Sequence, residues 1–76
     1  MTTTTLRRKL SKAYDEGRLK LHLTQDESVA FNWAMYFWQS SHSRYNLAEY
    51  TTEQYARARK KRLIDLCMNG AKYTIK

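Results

Sequence analysis

Proline is absent from this chain and glycine occurs only at Gly17 and Gly70. Gly and Pro are the strongest punctuators of a backbone, so a chain with two of them has little material for irregular loops. Its 76 residues must go into regular elements. Leu6, Leu10, Ala13 and Tyr14 recur at i, i+4, i+7 and i+8 ahead of Gly17, the spacing of one helical stripe. Beyond Gly17, Arg18-Leu19-Lys20-Leu21-His22-Leu23 alternates strictly, as a half-buried strand does. The second glycine is used in the same way. Asn69-Gly70 predicts a left-handed helix stop, and Ala71-Lys72-Tyr73-Thr74-Ile75-Lys76 alternates after it.

Between these ends stand two capping boxes. Thr24 and Glu27 can exchange side-chain and backbone hydrogen bonds at one helix start, and Thr51 and Gln54 at another. Tyr50 and Tyr55 flank the second as a hydrophobic staple, and the helix it opens should run to about Met68. Tyr55, Ala56, Leu63, Leu66 and Cys67 are expected to share its apolar face. The first box opens onto Val29, Ala30, Phe31, Trp33, Ala34, Met35, Tyr36, Phe37 and Trp38, which occupy every side of a helical wheel. This pattern predicts a helix buried nearly all round, the core of the domain. Residues 39–50 are expected to form a connector of about ten residues. That is too long for the 3–4-residue turn of a helix-turn-helix.

The expected fold is α+β and mainly helical, one small domain of order α-β-α-α-β. Its two terminal strands form a ribbon with a basic outer face. Should the strands not pair, the alternative is a three-helix all-α domain, because a lone two-stranded pair is marginal without packing.

The single cysteine, Cys67, rules out an intrachain disulfide, and a small exported domain usually carries several. No apolar region follows Arg7-Arg8-Lys9, so no secretory leader is expected. The apolar stretch from Val29 to Trp38 is about half of what a membrane crossing needs. A cytoplasmic protein without membrane attachment is the expectation.

Charge is distributed unevenly. Residues 1–24 hold six basic and two acidic groups, residues 25–50 one and three, and residues 51–76 seven and two, for a net +7. The sharpest feature is Arg57-Ala58-Arg59-Lys60-Lys61-Arg62, where Arg59 and Lys60 flank the apolar face and Arg57 and Lys61 point outward. Such a run suits phosphate contacts, each of which releases counterions and adds affinity independent of sequence. It is also what a solvated helix face with extended aliphatic stems looks like. A second cluster, Arg7-Arg8-Lys9-Lys12, puts cations in the expected first turn of the first helix, with Asp15 and Glu16 in its last. This is the wrong polarity for the helix dipole.

Binding residues are therefore expected at Arg57, Lys60, Lys61 and Arg62, extended by Arg7, Arg8, Lys12, Arg18 and Lys20. Either of two partners fits them. One is nucleic acid, held without base-specific reading. The other is an acidic groove on a protein, such as a nucleic-acid-processing enzyme, which a small regulator of the kind viruses encode could inhibit. Packing explains the aromatic run of the middle helix better than base stacking, since it carries no cation. Tyr45 and Tyr50, near Arg44, are better candidates for exposed aromatic contacts. His22, His42 and Cys67 stand far apart, so neither a metal nor another cofactor is expected. With no phosphate loop, nucleophile elbow or apolar carboxylate pair, the chain does not read as an enzyme.

Overall fold

The computed structural model describes residues 3–46 and 50–76, and the side chains of all of these except 42–46. The element order is α1 (Thr3–Asp15), β1 (Leu19–His22), α2 (Gln25–Asn46), α3 (Thr52–Met68) and β2 (Lys72–Ile75). The α-β-α-α-β order and the terminal ribbon are as the sequence predicts.

Both glycines do the same work. Gly17 (φ 71°) and Gly70 (φ 107°) lie in the left-handed region that side-chain-bearing residues avoid. After α1, the Gly17 N–H donates to the Tyr14 carbonyl at 3.0 Å and the Arg18 N–H to the Ala13 carbonyl at 2.8 Å. After α3, Gly70 donates to Cys67 at 3.3 Å and Ala71 to Leu66 at 2.9 Å. Each is a Schellman stop, which satisfies the last carbonyls and turns the chain back along its helix. Each glycine therefore launches a strand two residues later. The strands pair antiparallel, with Leu19 opposite Ile75 and Leu21 opposite Tyr73.

This register puts Leu19, Leu21, Tyr73 and Ile75 on one side of the ribbon, where they pack on the core of Leu10, Ile64 and Cys67. Lys20, His22, Lys72 and Thr74 face outward, and the His22 ring lies 2.9 Å from the Thr74 hydroxyl. Above the ribbon lie α1 and α3. They run antiparallel, because Arg7 meets Asp65 while Asp15 meets Lys60.

Several expectations need correction. The core is the α1–α3–ribbon sandwich rather than α2. Of α2's described side chains only Met35 is buried, while Val29, Trp33, Tyr36 and Phe37 are 48–61% exposed. Phe31, Ala34 and Trp38 join Met35 on the inner arc, which leans on α3. A wheel that is apolar all round describes a helix with neighbours on every side, and this chain supplies α2 with one main neighbour. On α3, Ala56 is exposed, and Ala58 and Ile64 belong to the buried set instead.

The connector is also shorter than expected, since α2 continues through the polar residues to Asn46. Both capping boxes form, with Thr24 and Glu27 exchanging bonds of 2.9 and 3.2 Å and Thr51 and Gln54 bonds of 2.8 and 3.1 Å. The Tyr50–Tyr55 staple stacks at 5.9 Å.

The adverse polarity of α1 is relieved in two ways. Starting at Thr3 moves Arg7 and Arg8 out of the first turn, and the ion pairs to α3 neutralise Arg7 and Asp15.

Among the described residues Leu10 is the one large side chain with no exposed surface, so Leu10→Ala is expected to cost about 2–5 kcal/mol. Gly70→Ala meets open space but a forbidden φ, and should cost about 1–2 kcal/mol from backbone strain alone. Chemical denaturation of both variants checks this. A Gly70→Ala protein as stable as the parent would show that the second stop is not held as described.

Candidate nucleic-acid interface

Three consecutive cations, Arg7-Arg8-Lys9, precede Leu10 on α1, and three more, Lys60-Lys61-Arg62, precede Leu63 on α3. Both leucines are buried and both lie seven residues before a stop glycine. Antiparallel packing therefore brings one flank of each triad to the shared α1–α3 surface. There a shallow groove is lined by Arg7, Ser11, Arg57, Lys60, Lys61 and Ile64. On the opposite flank of α3 a second groove is lined by Trp38, Gln54, Arg57, Ala58, Lys61 and Arg62. Arg57 and Lys61, one helical turn apart, border both, so the two grooves form one basic surface across the ridge of α3.

Most of these cations have a carboxylate within reach. Arg57 pairs with Glu53 at 2.6 Å, Lys60 with Asp15 at 2.7 Å and Arg7 with Asp65 at 2.5 Å. Arg62 donates to the Ala58 carbonyl at 3.2 Å. Lys61 makes no ion pair among the described residues. Five cations thus stand against three carboxylates, and the surplus is positive.

The pairs are not of equal firmness. Arg57 and Glu53 are 78% and 71% exposed, and a pair so hydrated contributes about 1 kcal/mol at most. Lys60 is the most enclosed of the paired cations, with its ammonium 5.8 Å from the centre of the Tyr14 ring as well as on Asp15. Its first duty is to hold α1 against α3.

The remaining expected residues lie elsewhere. Arg8 and Lys12 are exposed on α1 but do not line the groove, while Lys20 sits on the outer face of the ribbon. Arg18 is committed to the strand ends, donating to the Lys76 carbonyl and lying 3.5 Å from Glu16. Arg59 reaches the Tyr14 hydroxyl and stacks over Phe31, tying α3 to both other helices. Trp38 is a residue that sequence reasoning placed wholly in the core. It is half-buried, packs edge-on against Tyr50 and Tyr55, and still borders the groove beside Arg57. The signal was present: on a wheel Trp38 and Phe31 share an arc, but nothing in the sequence says how deep that arc lies. Tyr50 is taken up by this cluster, and the side chains of His42, Arg44 and Tyr45 are not among those described.

Among the described residues no group of three potential ligands converges as a metal site would require. Among the described residues no helix is long and apolar enough to cross a membrane. Burial pushes the Cys67 thiol up from its ordinary value, with the nearby Glu27 carboxylate adding to the shift and a backbone hydrogen bond opposing it. No protein-family model matches the chain, and neither a curated protein nor a solved structure matches it.

Because the folded state favours the protonated thiol, Cys67 contributes stability below its unfolded pKa, and this is lost as pH rises through the folded value. Labelling by iodoacetamide at mildly alkaline pH should be slow in the native protein and fast in denaturant. Cys67→Ala should flatten the alkaline decline in thermal midpoint. Equal labelling rates in the two states would contradict the burial.

Proposed function

We propose that this domain binds nucleic acid without catalysis, through the basic surface centred on Arg57 and Lys61. The observation that carries the reading is the placement of these two side chains. Both are exposed, both border grooves on either flank of α3, and cations of α1 and α3 surround them. A convex helix ridge bearing cations one turn apart can meet successive phosphates on a backbone. Contacts of this kind supply affinity that depends on salt and not on sequence. Trp38 at the groove's edge gives an apolar margin on which a sugar or an unpaired base can rest. The three carboxylates close by set a limit, because each phosphate must outcompete a neighbour already in place. Modest affinity and steep salt dependence follow.

An acidic groove on a protein offers the same first contact, but the exchange of weak, exposed ion pairs for repeated phosphates is the better match to a ridge without a deep pocket. The double variant Arg57→Gln/Lys61→Gln removes the two cations that the fold does not need. Glutamine nearly preserves helix propensity, so the melting curve should stay in place. Binding to random duplex oligonucleotides at low salt should fall by at least tenfold for every sequence. The slope of log K against log salt should shrink by roughly 0.9 for each phosphate that the variant no longer neutralises. An unchanged affinity and slope would refute the assignment. Wild-type protein that ignores nucleic acid yet binds an acidic protein surface would replace it with the second partner class.

A further inference from the structure

We infer that the outer face of α2 is a self-association surface, the contact between two antiparallel copies of this chain. The face is built from Val29, Trp33, Tyr36 and Phe37, with Asn32 beside them. Its rings contact one another, Trp33 stacking on Phe37 and meeting Tyr36 edge-on, both at 5.6 Å. The aromatic surface is thus continuous. Val29, Trp33, Tyr36 and Ser40 follow spacings of four, three and four, the seam by which one helix packs lengthwise on another. The inner arc of α2 already rests on α3, and among the described residues the seam is left exposed.

Charge selects the occupant. The chain carries +7, yet no Lys or Arg occurs between Gln25 and Ser43. Over residues 25–43 of α2 a nucleic acid or an anionic membrane finds no lysine or arginine to hold it. A second copy finds the one stretch where two strongly basic molecules can approach without opposing cations, and pairing leaves both basic ridges exposed. Antiparallel alignment also keeps Asp26 and Glu27 of one copy away from those of the other, which a parallel pair would set side by side. Centred between Trp33 and Tyr36, it sets Val29 opposite Ser40 of the other copy and Phe37 opposite its Asn32, large against small.

The area is sufficient for a weak dimer. Three aromatics of about 150–250 Å² each, roughly half exposed, offer on the order of 300 Å² per copy. Val29 and the polar flanks of a helix about 33 Å long bring the total for two copies toward the ~1,200 Å² at which specific interfaces begin. An interface at this lower bound is weak, so association depends on protein concentration.

This face shares no residue with the basic ridge, and its association has the opposite salt dependence, so either surface can fail without the other. Sedimentation equilibrium from about 1 to 100 µM should show the mass rising from 9.1 kDa toward twice that value. Added salt should strengthen the association by screening the mutual repulsion. Tyr36→Lys and Phe37→Glu replace exposed side chains, so each variant should keep its circular dichroism and stay monomeric throughout the range. Arg57→Gln/Lys61→Gln should dimerise at least as well as the parent. A wild type that remains monomeric at 100 µM, or a dimer that both α2 variants preserve, overturns the proposal. So does a monomer whose tryptophan emission shifts only on adding anionic vesicles, which would assign the face to a lipid surface.

Discussion

The packing of Leu10 between α3 and the ribbon is the contact on which the rest of the structure depends. Leu10 has no exposed surface, and its neighbours Ile64 and Cys67 are nearly as enclosed. Around this cluster close the four inward side chains of the ribbon, and above it lie the two cross-helix ion pairs. A domain this small has a total stability of about 5–15 kcal/mol. A large side chain at the centre is therefore a substantial fraction of the whole, and the exposed ion pairs, at about 1 kcal/mol or less, serve mainly to fix how α1 lies on α3. The two Schellman stops are what allow the arrangement. Each reverses the chain within two residues, so the strands return beneath the helices that precede them.

From this frame the surface divides in two. Antiparallel packing of α1 and α3 collects cations on a convex ridge, because each helix carries its basic triad beside a buried leucine. The other consequence falls on α2. Its helix is 22 residues long, and among the described residues it rests mainly on α3 through its inner arc. The aromatic remainder is left on the surface farthest in character from the basic ridge. α3 therefore carries exposed cations, while α2 presents an apolar surface that has no Lys or Arg over residues 25–43, and we propose a different partner for each.

The backbone plan was legible because its signals are local. Capping residues, stop glycines and period-two alternation act within a few residues, so Thr24, Thr51, Gly17 and Gly70 marked the element ends, and the alternating leucines marked β1. What was not legible depends on how many neighbours an element has. Nine apolar residues around α2 read as a buried helix, since a sequence does not state that only one other helix will lie against it. Leu10 as the centre of the core was equally hidden, being one leucine among several on its stripe. Of the expected binding residues, the run at 57–62 was visible as charge. The division of labour within it, with Arg57 and Lys61 outward, Lys60 on Asp15 and Arg59 on Tyr14, came partly from the wheel and partly from partners 45 residues away. Polar residues 39–46 misled in the other direction, because helix α2 continues through them without an apolar face to announce it.

We propose that the basic ridge of α3, and not the aromatic face of α2, meets nucleic acid. Amide chemical-shift mapping tests it most directly, with the isotope-labelled protein titrated at low salt with a short random duplex. Residue-specific shifts should centre on Arg57 and Lys61 and spread to Arg7 and the Trp38 indole, while Val29, Trp33 and Phe37 stay in place. Shifts concentrated on the α2 face, or none anywhere on α3, would contradict the account.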